Sequence, residues 1–374
     1  MKKRLGIAAS IIGGSFLLFG IGSWVFQKVA NKEDPEYFLQ FIKENGAKQS
    51  VAVSIQYNQD SLAAVNEQVS LPLASTMKII LAIEYARQAA EGMIDPQQPV
   101  SLDELETYYV PKTDGGAHEA WLESVKETKQ DDAVPLSEVA NGMIAYSSNA
   151  NTEYLIEVLG EENINGNIID LEINSHEPIY PLVSSLFIPI QLMNEENLTK
   201  QETVAKLKEM SLDEYREHAK RIHENWKTQP PTDEEKKNII NELDMEFQRI
   251  WSDRLPRGSA EDYLSILEKL NRKEFFKPEV YQHLNPVMEQ LMKNPQNQEW
   301  LTHAGQKGGS TAFVLTMAMY ATDKNQNKTE FVFLADDLSS TQQTKLSRNM
   351  NQFQLKLLRD EDFREKVKQE LENL

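Results

Sequence analysis

Strand patterns lie near both ends of this chain with helical patterns between them, and that arrangement restricts the fold more than any other feature. SVAVSIQY at 50–57 alternates and is rich in valine. A short polar connection at 58–61 leads to a second candidate strand, Leu62 to Glu67, so the pair reads as an antiparallel hairpin. Far downstream, STAFVLTMAMYAT at 310–322 and EFVFLADD at 330–337 are apolar and β-branched, separated by the polar turn DKNQNK. Strands at both ends predict one sheet assembled from distant parts of the chain, with helices packed on it.

The intervening pattern is helical. Asp34 to Lys43 has Pro35 near its start, and Thr76 to Glu91 carries apolar residues at helical spacing with Gly92 as its stop. Further helices are expected at Leu136–Met143, Asn151–Leu159 and Ser259–Leu270, and one long helix over Thr341–Leu371. Residues 192–255 form a charged helical excursion, broken by QPPTDEEKK at 229–237, where Thr232 and Glu235 resemble a capping box. Its charge points to a surface position, and three uses stay open: a roof over a cleft, a surface for a protein partner, or a solvated insertion.

Composition excludes several chemistries. The net charge of −19 repels nucleic acid, so a nucleic-acid partner is not expected. With no cysteine there are no disulfides, thiolate nucleophiles or thiolate metal sites. The six histidines form no metal-binding motif, and His218 and His223 read as surface groups on a charged helix. No phosphate-binding or dinucleotide motif occurs, so no cofactor and no metal are expected.

The N-terminus carries Lys2, Lys3 and Arg4 before an uncharged run from Leu5 to Phe26. As a helix those residues would span about 33 Å, close to hydrocarbon thickness. The expectation is a basic cap and transmembrane anchor over 1–29, a juxtamembrane segment at 30–45, and a domain over 46–371 outside the cytoplasm. A cleaved signal peptide, giving a secreted protein, is the alternative.

Three short segments carry candidate chemistry. STMK puts Lys78 one helical turn after Ser75, where a desolvated amine can act as base towards a hydroxyl. AYSSNAN offers Ser147 to relay a proton and Asn149 to hold a substrate carbonyl together with the lysine. GQKGGSTAF places Lys307, an anchor for a carboxylate, beside Gly308 and Gly309, where another chain can come close. The N–H groups of Ser310 and Ser75 could then share an oxyanion. Taken singly, each segment is equally an amphipathic-helix charge, a polar cap or a glycine turn.

In this order, STMK, SSN and KGGS resemble the S-x-x-K, S-x-N and K-[T/S/G]-G signatures of class A β-lactamases and penicillin-binding serine enzymes. The resemblance spans about 46–190 and 256–371. It implies an α+β fold: a five-stranded antiparallel sheet flanked by helices, plus an all-helical lobe, with the cleft between them. It also implies Ser75 as acylated nucleophile, Lys78 as its activator, Ser147 as proton shuttle and Asn149 as substrate positioner. Lys307 would take the carboxylate, Gly308 and Gly309 would line the strand, and Ser310 or Thr311 would touch the ligand.

Three departures bear on the activity. Ser148 stands where the family often has aspartate, and Gly308 where it usually has threonine. The stretch NSHEPIYP supplies Glu177 as candidate water-activating base, but it matches the family's E-P-E-L-N only at Glu177 and Pro178. The expected function is a serine hydrolase forming an acyl-enzyme on an amide or ester, a cell-wall peptide or related substrate. The alternatives are a true β-lactamase and a non-catalytic cell-wall binding or signalling module on the same fold.

Overall fold

The computed structural model describes residues 34–372 and Leu374. Its strands are β1 (Val51–Tyr57), β2 (Asp60–Val65), β3 (Leu71–Pro72), β4 (Pro99–Ser101), β5 (Ala133–Pro135), β6 (Arg257–Gly258), β7 (Leu301–Ser310), β8 (Leu315–Asp323) and β9 (Lys328–Ala335). The main sheet runs β2-β1-β9-β8-β7 with every pairing antiparallel. The two ends of the sequence meet at its centre, where Val51 pairs with Ala335 and Tyr57 with Thr329.

Alternation along these strands divides the core in two. Val51, Val53, Ile55, Met317, Phe331 and Phe333 face one layer of helices, α1 (Pro35–Asn45) and the C-terminal pair Ser340–Arg359 and Glu361–Leu371. Ala52, Ala318, Tyr320, Val332 and Leu334 face the helical lobe, joining its large core. The expected single helix over 341–371 is two, because Asp360 leaves helical geometry and its side chain caps the second at Phe363 N–H.

The apolar run at 310–322 is likewise not one strand. Thr311 Oγ1 accepts the N–H groups of Phe313 (3.1 Å) and Val314 (3.2 Å), and the turn so formed separates β7 from β8. The KGGS motif therefore closes β7 instead of opening a strand.

The segments on either side of the 192–255 excursion are clasped: Glu177 N–H donates to Arg257 O at 2.8 Å. Between them six helices span Leu182–Ser185, Ile188–Glu196, Lys200–Glu209, Leu212–Trp226, Asp233–Glu242 and Met245–Asp253. The Thr232–Glu235 capping box is formed. Helix Leu212–Trp226 buries Tyr215, Ala219, Ile222 and Trp226 along one face, inside the main core. The expectation of a simply solvated insertion is thereby corrected, since its apolar face is used up within the lobe, and nothing among the described residues supports the expected protein partner. His223 is also not a surface group, being 3% exposed.

The membrane expectation is corrected as well. Among the described residues no helix is long and apolar enough to cross a membrane. The expected span, residues 5–26, lies outside the described residues. Among the described residues, accordingly, there is no transmembrane helix, and the expected membrane partner and single-pass extracellular placement find no support there.

Candidate active site

Ser75 sits in a 3-10 turn, Ala74–Met77, that feeds directly into helix Lys78–Glu91. The turn is fastened to the sheet from below. Thr76 Oγ1 and Thr316 Oγ1 lie 2.7 Å apart, and Thr316 Oγ1 donates to Leu73 O at 3.0 Å. Gly309 completes the contact: a Cβ there would lie 2.8 Å from Thr316 Oγ1 and 2.9 Å from Ala74 Cβ, and closer still to Ser75 N. Only glycine lets β7 come this near the turn carrying the serine. Gly308 is different, since a Cβ there would first meet the flexible end of Met317 at 3.1 Å.

Lys78 is 1% exposed. Its Nζ donates to Ser147 O and to Asn149 Oδ1, both at 2.9 Å, and lies 3.4 Å from Ser147 Oγ. From the other side Lys307 Nζ donates to Ser147 Oγ at 2.9 Å and to Gly308 O at 2.6 Å. Ser147 itself has a left-handed backbone, φ 69°, at the exit of a π-helical turn over Gly142–Tyr146. That turn packs on Trp121 and Asn151, leaving no room for a side chain at Gly142. The strained serine is thus held by packing behind it.

The electrostatics follow from burial. Desolvation lowers the Lys78 pKa to about 7, against the opposing charges of Asp114 and Glu153. Lys307 is pushed well below the usual lysine range by burial and by the neighbouring Lys78. A hydroxyl between two ammonium groups that are costly to keep charged is suited to passing protons.

Ser75, Lys78, Ser147, Asn149, Lys307, Gly308 and Gly309 are therefore brought together, with Ser310 half-buried at the end of β7. Thr311 is not free to face a ligand, because its hydroxyl holds the turn and accepts from Ser252 Oγ at 2.8 Å. Glu177 stands apart. Its Oε2 accepts from Arg216 Nη2 at 3.1 Å and from Arg257 N–H at 3.3 Å. Beside the serine turn a small apolar cluster forms, in which Leu182, Trp251 and Phe313 pack with Ala74, Leu255 and Val314. Among the described residues no cluster of three or more histidine or acidic side chains is placed to hold a metal ion.

A sequence profile described as Beta-lactamase enzyme family matches residues 36–310. The chain belongs to that family. Its fold is also that of solved β-lactamases. A Sphaerobacter thermophilus β-lactamase is 15% identical, with 87% of this chain and 99% of that one covered at a TM-score of 0.52. A Chitinophaga pinensis β-lactamase is 14% identical, with 85% and 98% covered at 0.50. At such identities the likeness concerns the fold alone. A search of curated proteins returned no match. Membership of the β-lactamase family makes a serine-hydrolase type of function the general class of this chain.

Sequence reasoning missed several residues of this β-lactamase-family site. Thr316 ties Ser75's turn to the sheet, the buried carboxylate Asp114 meets the start of the helix at Asn149, and the buried Glu153 lies on that helix. Glu153 Oε1 accepts the N–H groups of Leu182 (2.6 Å) and Val183 (2.8 Å), while Oε2 lies 3.2 Å from His223 Nδ1. Glu153 follows Asn149 by one helical turn, a spacing that could have flagged it; nothing local marks the others.

Proposed function

We propose that this protein is a serine acyl-transfer hydrolase of the D,D-carboxypeptidase type, acting on a cell-wall peptide or a related amide or ester. Ser75 Oγ attacks the carbonyl carbon and its proton passes to neutral Lys78. The N–H groups of Ser75 and Ser310 receive the oxyanion. As the C–N bond breaks, Ser147 Oγ gives its proton to the departing amine and is reprotonated from the lysine pair. Asn149 holds the substrate amide, and Lys307 meets its carboxylate. Water then cleaves the Ser75 ester, releasing the acid and restoring the serine.

One observation carries this reading: the Ser147 hydroxyl lies within hydrogen-bond reach of two buried lysines, next to the turn that bears Ser75. A binding module would have little use for so costly a charge cluster. Rapid β-lactam hydrolysis is disfavoured, because the Glu177 carboxylate is engaged by Arg216 and by Arg257 N–H. Labelling with a fluorescent penicillin, with the adduct located by mass spectrometry, tests the proposal. The expected result is a persistent adduct on Ser75 that Ser75→Ala abolishes. An adduct elsewhere, or none at any pH, refutes it.

A further inference from the structure

The helix Asn149–Leu159 begins with the residue that contacts Lys78, yet its cap is the neutral Ser148. Ser148 Oγ accepts from Asn151 N–H at 3.2 Å, donates to Asn151 Oδ1 at 3.0 Å and lies 2.9 Å from His118 Nδ1. The negative charge comes from elsewhere in the chain. Asp114, 3% exposed, lies in TDGGAH at 113–118 and reaches the same helix end: its Oδ2 accepts Asn149 N–H at 3.3 Å. Its other bonds hold its own loop, from Gly116 N–H (3.2 Å), Ala117 N–H (3.1 Å) and His118 N–H (3.2 Å). A carboxylate at a helix N-terminus is favoured by the unpaired N–H groups there.

We propose that Asp114 is a positioning residue of the acylation site: it seats Asn149 through its backbone N–H and supplies the negative charge that holds Lys78's proton. The inference rests on the reading of Lys78 as the base. It makes the 114–118 loop the source of the charge that the motif itself lacks at Ser148. The groups facing Lys78 are Asp114 from this loop, Glu153 from helix Asn149–Leu159 and Lys307 from β7. The charges acting on Asp114 are Lys78 and, from its own side, Glu119; His118 meets it through its backbone N–H, while its ring lies 2.9 Å from Ser148 Oγ. Burial pulls the His118 pKa down to about 4, so this imidazole is neutral near pH 7 and brings no charge to the helix end. Burial also pushes the Asp114 carboxyl up from its usual range, while the Asn149 N–H and Lys78 oppose that shift.

The test is a titration of Lys78 in the whole chain by 13C NMR of labelled lysine ε-carbons, with the resonance assigned through Lys78→Arg. Asp114→Asn removes the charge, and the Lys78 midpoint is expected to fall by about one pH unit. The new amide would face backbone N–H donors, so near-UV circular dichroism is used to check folding. Ser148→Asp is the second variant: it adds a carboxylate at the same helix end and is expected to raise the midpoint. An unmoved or raised midpoint in folded Asp114→Asn, or an unmoved one in Ser148→Asp, overturns the proposal. A purely structural role would slow acylation without moving either midpoint. Failure of the wild type to acylate Ser75 would refute the hydrolase reading instead, and the titration would still decide the role of Asp114.

Discussion

Replacing Gly309 with alanine probes the closest approach in the site. The added Cβ would stand 2.9 Å from Ala74 Cβ and 2.8 Å from Thr316 Oγ1, where ordinary contacts begin near 3.4 Å. At least about 0.5 Å of movement is needed, and more at Ser75 N, which lies nearer still. Neither side gives easily, because Thr316 is bonded to Thr76 and Leu73 and the turn is short. Overpacking of this kind costs about 1–3 kcal/mol of stability. Displacing the nucleophile by up to 1 Å costs about 100-fold in rate. The assay is stopped-flow acylation by a chromogenic cephalosporin, with thermal unfolding in parallel. Gly308→Ala is the control, since its first contact is the flexible tip of Met317, and it should acylate within a few-fold of wild type. Wild-type acylation by Gly309→Ala, or equal damage from both variants, would refute the packing argument.

Because the Lys78 pKa is lowered to about 7, its neutral form predominates above that pH. The acylation rate constant should therefore rise tenfold per unit below pH 7 and level off above it; a flat profile from pH 5 to 9 would remove Lys78 as base. Glu177→Gln should change turnover of the cephalosporin only a few-fold, because Arg216 already holds the carboxylate; a collapse with accumulating acyl-enzyme would make Glu177 the deacylating base. His223 is pulled down by burial, but Glu153 and Glu157 outweigh that and raise its pKa in the fold. Its contribution to stability is thus full below the unfolded value of about 6.5 and lost as pH rises through the folded one. His223→Gln should destabilise by about 3–5 kcal/mol at pH 6, less at pH 9, and a pH-independent loss in denaturant melts would contradict the charged pair.

The sequence by itself determined the layout. Alternating β-branched runs can bury one face only by pairing, so strands at 50–57 and 330–337 had to meet in a sheet packed by the intervening helices. Ser75, Lys78, Ser147, Asn149 and Lys307 were legible as candidates because each falls in one of three short motifs that follow one another in a set order. The tertiary structure alone decided what those groups experience. Whether Lys78 is a surface charge or a buried amine depends on Ser147 and Asn149, which lie 69 and 71 residues away. The fate of Glu177 rests on Arg216, and that of Asp114 on Asn149. The excursion looked solvated because its charged face dominates the composition, while the sparse apolar stripe of Tyr215, Ala219, Ile222 and Trp226 fixes where it packs. Burial and long-range pairing set the charge state of a side chain, and neither is written in the residues beside it.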